Sequence, residues 1–144
     1  MFKKPLVVVD TSVFISALLS SNLNSTPNII INKWLEGCFT IVMTPQIETE
    51  IAVLLDRKQI PEEIIIDLFD AFEDLACYQE GIYETNFLDE IDPKDNIFLS
   101  ASYEAKADYL VSLDKNLLNI KHFYKTLIFN PRSFLNQLDQ YTNN

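Results

Sequence analysis

Glycine occurs only twice in this 144-residue chain, at Gly37 and Gly81, and histidine only once, at His122. No glycine-rich loop can therefore cradle a phosphate. No His-rich zinc site can be built, and a Ser-His-Asp or Cys-His arrangement would have to rest on His122 alone. His122 itself reads as an ordinary surface or half-buried residue. The two cysteines, Cys38 and Cys77, are far apart and fit no redox or zinc spacing, so they read as reduced thiols filling the core. No apolar run approaches the ~20 residues of a membrane span. The start "MFKKPLVVVD" imitates a signal peptide, but Asp10 ends its apolar stretch after four residues. The sequon Asn24-Ser25-Thr26 then reads as chance, and a cytoplasmic protein is expected.

Bases are also scarce. Eleven Lys and Arg face 21 Asp and Glu, for a net charge of −10 and a pI of about 4.4. That balance is unusual for a protein that grips nucleic acid through its phosphates. The distribution is uneven, however. Between Gln59 and Pro93 there is no base, and 11 of the 21 acids lie there. From Lys94 to Arg132 six bases stand against four acids.

What the chain has in quantity is apolar residues, 48% of the total. That is enough to bury a core, and the length fits one domain, residues 1–144. Apolar strands alternate with helices. "LVVV" at 6–9 reads as a strand buried on both faces. A helix should follow Asp10, and another should span 26–37, capped by Thr26, with Pro27 first and Gly37 closing it. "CFTIVMT" at 38–44 is a second strand. Helices follow over 45–58 and 61–78, the first with Ile47, Ile51, Leu54 and Leu55 on one face. Asp92-Pro93 opens a helix to about Lys106. "DYLVSL" at 108–113 and "TLIF" at 126–129 are further strands, and a short helix covers 131–138. This order predicts an α/β protein, a three-layer α/β/α domain with a mainly parallel central sheet.

Two of these strands run straight into an aspartate, Asp10 and Asp114. In an open parallel sheet, ligands bind beyond the carboxyl ends of the strands. The helix from Asp92-Pro93 would bring Asp95 to that edge, and the helix after the second strand would bring a glutamate. Each acid has a plain structural reading. Asp10 can cap the helix after it, and Asp114 can start the turn into "KNLL". Asp92 can cap its helix, and Asp95 at N3 suits the helix dipole. Glu48 and Glu50 lie at opposite borders of the apolar stripe, and helical geometry does not choose between them. Several carboxylates on one edge nevertheless repel unless a cation neutralises them. Hard divalent ions, Mg²⁺ or Mn²⁺, suit such an all-oxygen site, and phosphodiester hydrolysis is chemistry that they serve.

Four blocks, "VVVDTSVFISALL", "TPQIETEIAVLL", "DPKDNIFLSASYEAKADYLVSLDKNLL" and "IFNPRSFL", resemble in order and spacing the PIN-domain nucleases. The likeness covers roughly residues 5–138 and is nearest to the bacterial branch of toxin–antitoxin toxins related to VapC. It implies a PIN fold and a metal-dependent endoribonuclease acting on single-stranded RNA. By position, Asp10, Glu50, Asp95 and Asp114 match the family's acids, which decides for Glu50 over Glu48. These four would hold the ion and orient the attacking water. Ser112 matches a residue that supports the last acid, and Ser12 stands where many members have asparagine. RNA would approach over the C-terminal part, near Lys94, Lys115 and Arg132. Two other readings stay open: a housekeeping RNA-processing nuclease, and a catalytically silent module that binds protein or RNA. The broad apolar stripe of 61–78, Ile64, Ile65, Leu68, Phe69, Phe72, Leu75 and Ala76, extended by Ile66, reads as core or as an interface. The interface would serve a homodimer or an antitoxin, and its acidic flank suits a basic partner segment.

Overall fold

The computed structural model describes residues 4–142; the first three residues of the basic start lie outside the described residues. Strand β1 (Leu6–Val9) leads into helices α1 (Thr11–Leu19) and α2 (Thr26–Leu35). Strand β2 (Thr40–Met43) is followed by α3 (Pro45–Arg57), α4 (Glu62–Leu75) and strand β3 (Cys77–Tyr78). After an irregular segment, a 3-10 turn (Pro93–Asp95) runs into α5 (Asn96–Ala105) and strand β4 (Tyr109–Val111). Then come α6 (Lys115–Leu118), strands β5 (His122–Phe123) and β6 (Thr126–Phe129), and α7 (Pro131–Thr142).

The six strands form one sheet in the order β3-β2-β1-β4-β6-β5. All neighbours are parallel except β5, which returns antiparallel beside β6. Val7, Val8 and Val9 of the central strand are at most 1% exposed, which is why an unbroken apolar run was needed there. Phe72 of α4 packs on Phe14 of α1 and Trp34 of α2, at ring distances of 5.4 and 5.5 Å. Phe134 of α7 meets Phe39 and Tyr109 on the same side, and α5 packs against β1 and β2 from the other. The result is the three-layer α/β/α arrangement expected. No helix among the described residues is long and apolar enough to cross a membrane.

Several local expectations need correction. Ser25, not Thr26, caps α2: its hydroxyl accepts from the Asn28 N–H, leaving Thr26 and Pro27 inside the first turn. Helix α2 ends at Leu35, and Gly37 takes the left-handed conformation just beyond. The 61–78 helix stops at Leu75, because the chain then pairs as β3 against β2. Phe72 is wholly buried, so it belongs to the core and is no partner surface. The helix foreseen from Asp92 begins as the 3-10 turn, and α7 runs on to Thr142. Strands β3 and β5 have two residues each, too few to show a period in the sequence.

Residues 79–92 have almost no regular structure, yet side chains tie them down. Glu104 accepts from the N–H groups of Gly81 and Tyr83, both at 2.9 Å. Ser100 Oγ accepts from Thr85 N–H, and Asn96 Oδ1 from Leu88 N–H. Leu88 is 1% exposed and anchors the middle of this strap. The strap delivers Asp92 to the edge of the sheet where β1 and β4 end.

Candidate metal centre

Asp10 directly follows β1 and Asp114 lies three residues beyond β4, at the carboxyl edge of the sheet. Both plain structural readings hold: Asp10 accepts from Ser12 N–H at 3.3 Å, and Asp114 from Asn116 N–H at 2.8 Å. These bonds use one carboxylate oxygen each and fix the other for further work. The second oxygen of Asp10 receives the Ser112 hydroxyl at 2.5 Å. Ser112 Oγ in turn accepts the Asp114 N–H at 2.9 Å. Ser112 thus supports the side chain of the first acid and only the backbone of the last. Ser12 Oγ accepts from Leu113 N–H at 3.4 Å, so its hydroxyl braces the loop between β4 and Asp114.

Glu50, in the second turn of α3, is oriented by the Thr11 hydroxyl at 2.8 Å. Glu48 points elsewhere and accepts from Tyr78 OH. Asp10, Glu50, Asp95 and Asp114 line one cavity of about 270 Å³, together with Asp92, Lys94 and Lys58. Lys115 is exposed at the start of α6 and is not part of this lining, nor is Arg132.

Asp92 corrects a further expectation. It precedes Pro93 as a cap would, but its side chain makes no capping hydrogen bond. Instead Asp92, Asp95 and Asp114 bring carboxylate oxygens within 4.8 Å of one another. Asp95 is only 7% exposed, and its Oδ2 is buried with no hydrogen-bond partner. A buried carboxylate oxygen left bare costs free energy unless something outside the chain satisfies it. An all-oxygen set with one orphaned acceptor is what a hard divalent cation requires, so these residues fit such an ion.

The electrostatics agree. Burial first, then contact with the Asp114 carboxyl and the charges of Asp10, Asp114 and Asp92, pushes Asp95 up to about 9. Burial also raises Asp10 above its ordinary value, against the lowering pull of Ser112 and Ser12. Glu50 is raised by burial too, while the Thr11 hydroxyl and the Lys94 ammonium oppose the shift. Without a cation, Asp95, Asp10 and Glu50 resist ionisation.

The residues missed in the sequence left unequal traces. Glu50 and Leu54 of α3 and Lys58, just past its end, line the cavity at intervals of four, a helical spacing that marks Lys58 once Glu50 is chosen. Thr11, next to Asp10, carried no signal, since its contact with Glu50 spans 39 positions.

The sequence matches the pattern described as "PIN domain" over residues 6–116. The uncharacterized protein MJ1680 of Methanocaldococcus jannaschii is 28% identical over 148 aligned residues, covering 94% of this chain and 92% of the relative. PIN domains are generally metal-dependent nucleases, and the acidic cluster could bind a metal. With the expected sheet, the expected edge and most of its length matched, the chain belongs to the PIN-domain family.

Proposed function

We propose that the protein is an endoribonuclease that hydrolyses phosphodiester bonds in single-stranded RNA with Mg²⁺ or Mn²⁺, and that it is the toxin of a toxin–antitoxin pair. The observation that carries the nuclease reading is the orphaned Asp95 Oδ2 among carboxylates that meet from four separate segments of the chain. Asp10, Asp92, Asp95 and Asp114 would hold the ion, with Glu50 at the cavity wall. A bound divalent cation would supply Lewis acidity toward the phosphate and an activated water. The chain's own residues set the frame. Ser112 and Ser12 N–H lock Asp10, Asn116 N–H locks Asp114, and Thr11 aims Glu50. Glu50 would orient an attacking water or accept a proton from it. Lys94 and Lys58 line the same cavity as the acids and would meet the phosphate backbone with positive charge. Bound cations together with these lysines answer the objection raised by the acidic net charge.

The toxin assignment rests on the likeness of the four sequence blocks, and the antitoxin is its implied partner. Ile64, Ile66 and Leu75 of α4 remain 41%, 51% and 45% exposed beside the acidic residues of that helix, and a basic segment would suit them. A silent binding module is the weaker reading, because it gives no reason to keep a buried acid without a partner. Cleavage of a mixed RNA pool by the purified protein tests the proposal. Fragments should appear with Mg²⁺ or Mn²⁺ and vanish in excess EDTA. Undiminished cleavage in EDTA would rule out the metal mechanism.

A further inference from the structure

Beside the acid cavity the surface carries a run of aromatic rings. Phe87 of the strap meets Phe123 of β5 at a ring distance of 5.7 Å, and Phe123 meets Tyr124 at 4.9 Å. Tyr124 meets Tyr103 of α5 at 4.5 Å, and Tyr103 meets Tyr83 of the strap at 4.2 Å. Phe123 is buried at the base of the run, but Tyr124, Phe87 and Tyr103 are 65%, 59% and 40% exposed. Two grooves of about 620 and 630 Å³ share Tyr124 and follow the run along the side of the molecule.

Three features say what would lie there. The first groove lies near the acids in the chain: its lining includes Ile91, the neighbour of Asp92, and Asn116, whose backbone N–H donates to Asp114. Its polar lining is Asn116, Asn119 and His122, groups that hydrogen-bond base edges. The second groove is lined by two bases, Lys106 and Lys125, beside Glu104, and Lys125 also pairs with Asp108 at 3.3 Å. In addition, Tyr124 adopts a left-handed backbone, φ 55°, which is costly for a bulky side chain. Glycine or asparagine would occupy that hairpin turn with less strain.

We propose that this aromatic strip is a stacking platform for unpaired bases, along which single-stranded RNA runs before its backbone enters the acid cavity. Phe87, Tyr103 and Tyr124 offer exposed ring surface, Lys106 follows the phosphates, and Asn116, Asn119 and His122 face base edges. Stacking of this kind tolerates any sequence, because every base has a π-face. The proposal rests on the nuclease reading of the acid cavity and names how the same site would gather its substrate.

The test separates the two. Binding of a fluorescein-labelled oligouridine to the full-length protein is followed by anisotropy at low salt in EDTA, where the ion plays no part. Hydrolysis of bis(p-nitrophenyl) phosphate with Mn²⁺ is measured in parallel, since this diester has no bases and needs only the acids. Tyr124→Asn suits the left-handed turn, Tyr103→Ala suits a helix, and Phe87→Ala removes an exposed ring, so all three should fold. Each should weaken oligouridine binding by about 5- to 150-fold, the range to which stacking of ~1–3 kcal/mol per base converts. Each should leave diester hydrolysis at the parental rate, and Tyr103→Phe should bind like the parent. Unchanged oligouridine binding in all three variants would overturn the strip while leaving the nuclease reading intact. So would no binding by the parent, or a shift from dimer to monomer in sedimentation with binding unaltered, which would make the strip a protein interface. A parent that binds oligouridine but never hydrolyses the diester would leave the strip standing and remove the nuclease.

Discussion

Two carboxylates only nine residues apart, Asp95 and Glu104, sit at opposite ends of α5 in opposite circumstances. Glu104 is met by backbone N–H groups. Burial alone would raise it, but the amides of Tyr83, Gly81, Ile82 and Glu80 bring it below its ordinary value. Asp95 is met by other carboxylates and by no donor for its buried Oδ2. Glu104 is therefore complete within the chain and does structural work: it fastens the strap. Asp95 is incomplete within the chain, and incompleteness of this kind marks a place that something else must fill. The contrast separates a carboxylate that holds the fold from one that awaits a ligand.

The largest expected effect lies at the incomplete end. Asp95→Asn keeps the shape but removes the charge, and should reduce metal-dependent RNA cleavage by ~10²-fold or more. Its stability without metal should be unchanged or higher, since it removes the cost of protonating a carboxyl among other acids and sacrifices no capping hydrogen bond. Cleavage rates and melting curves on the same preparation check both halves. At the complete end, Glu104→Ala should do the reverse. Loss of its bonds to Gly81 and Tyr83 should lower stability by about 1–2 kcal/mol, water replacing part of what is lost. RNA cleavage per folded molecule should fall far less than in Asp95→Asn, as urea titration combined with activity would show. Asp92→Asn is expected to be milder than either. Asp92 caps nothing, so melting should stay within a degree or two, while the Mn²⁺ concentration for half-maximal activity rises several-fold.

The pH dependence of melting sharpens the same contrast, with the smallest effect. Asp95, Asp10 and Glu50 are raised in the folded state, so folding takes up protons there. Their contribution is fully present below the ordinary carboxylate values and is lost as pH rises through the raised values, up to about 9 for Asp95. Glu104 is lowered, so its contribution is present above its ordinary value and fades as pH falls through the lowered one. Melting temperature without metal should therefore climb from pH 9 toward pH 5 and turn down below about pH 4.5. Asp95→Asn should flatten the climb, and Glu104→Ala the downturn.

Much of this was legible in the sequence, for identifiable reasons. "VVVD" and "YLVSLD" are long enough to announce buried strands, and strands of a parallel sheet end at a shared edge, so Asp10 and Asp114 could be paired from spacing alone. The same alternation of strand and helix brought Asp95 and a glutamate to that edge, and resemblance, not periodicity, chose Glu50 over Glu48. The strap was not legible. It is built from side-chain bonds such as Glu104 to Gly81 and Asn96 to Leu88, which leave no period in the sequence. For the same reason Asp92 read as a cap, since Asp-Pro looks alike whether its carboxylate turns to its own helix or to Asp95 and Asp114. The aromatic strip joins β5, α5 and the strap, and only the fold brings them side by side.

Melting curves with and without Mn²⁺ for the parent, Asp95→Asn and Glu104→Ala test the cation site most directly. Ion at ten times its Kd should stabilise the parent by about 1.4 kcal/mol, a rise of roughly 5 °C for a domain of this size. Glu104→Ala should melt lower throughout yet show the same rise, and Asp95→Asn should show little or none. An equal Mn²⁺-induced rise in Asp95→Asn, or none in the parent, would contradict a cation held by these acids.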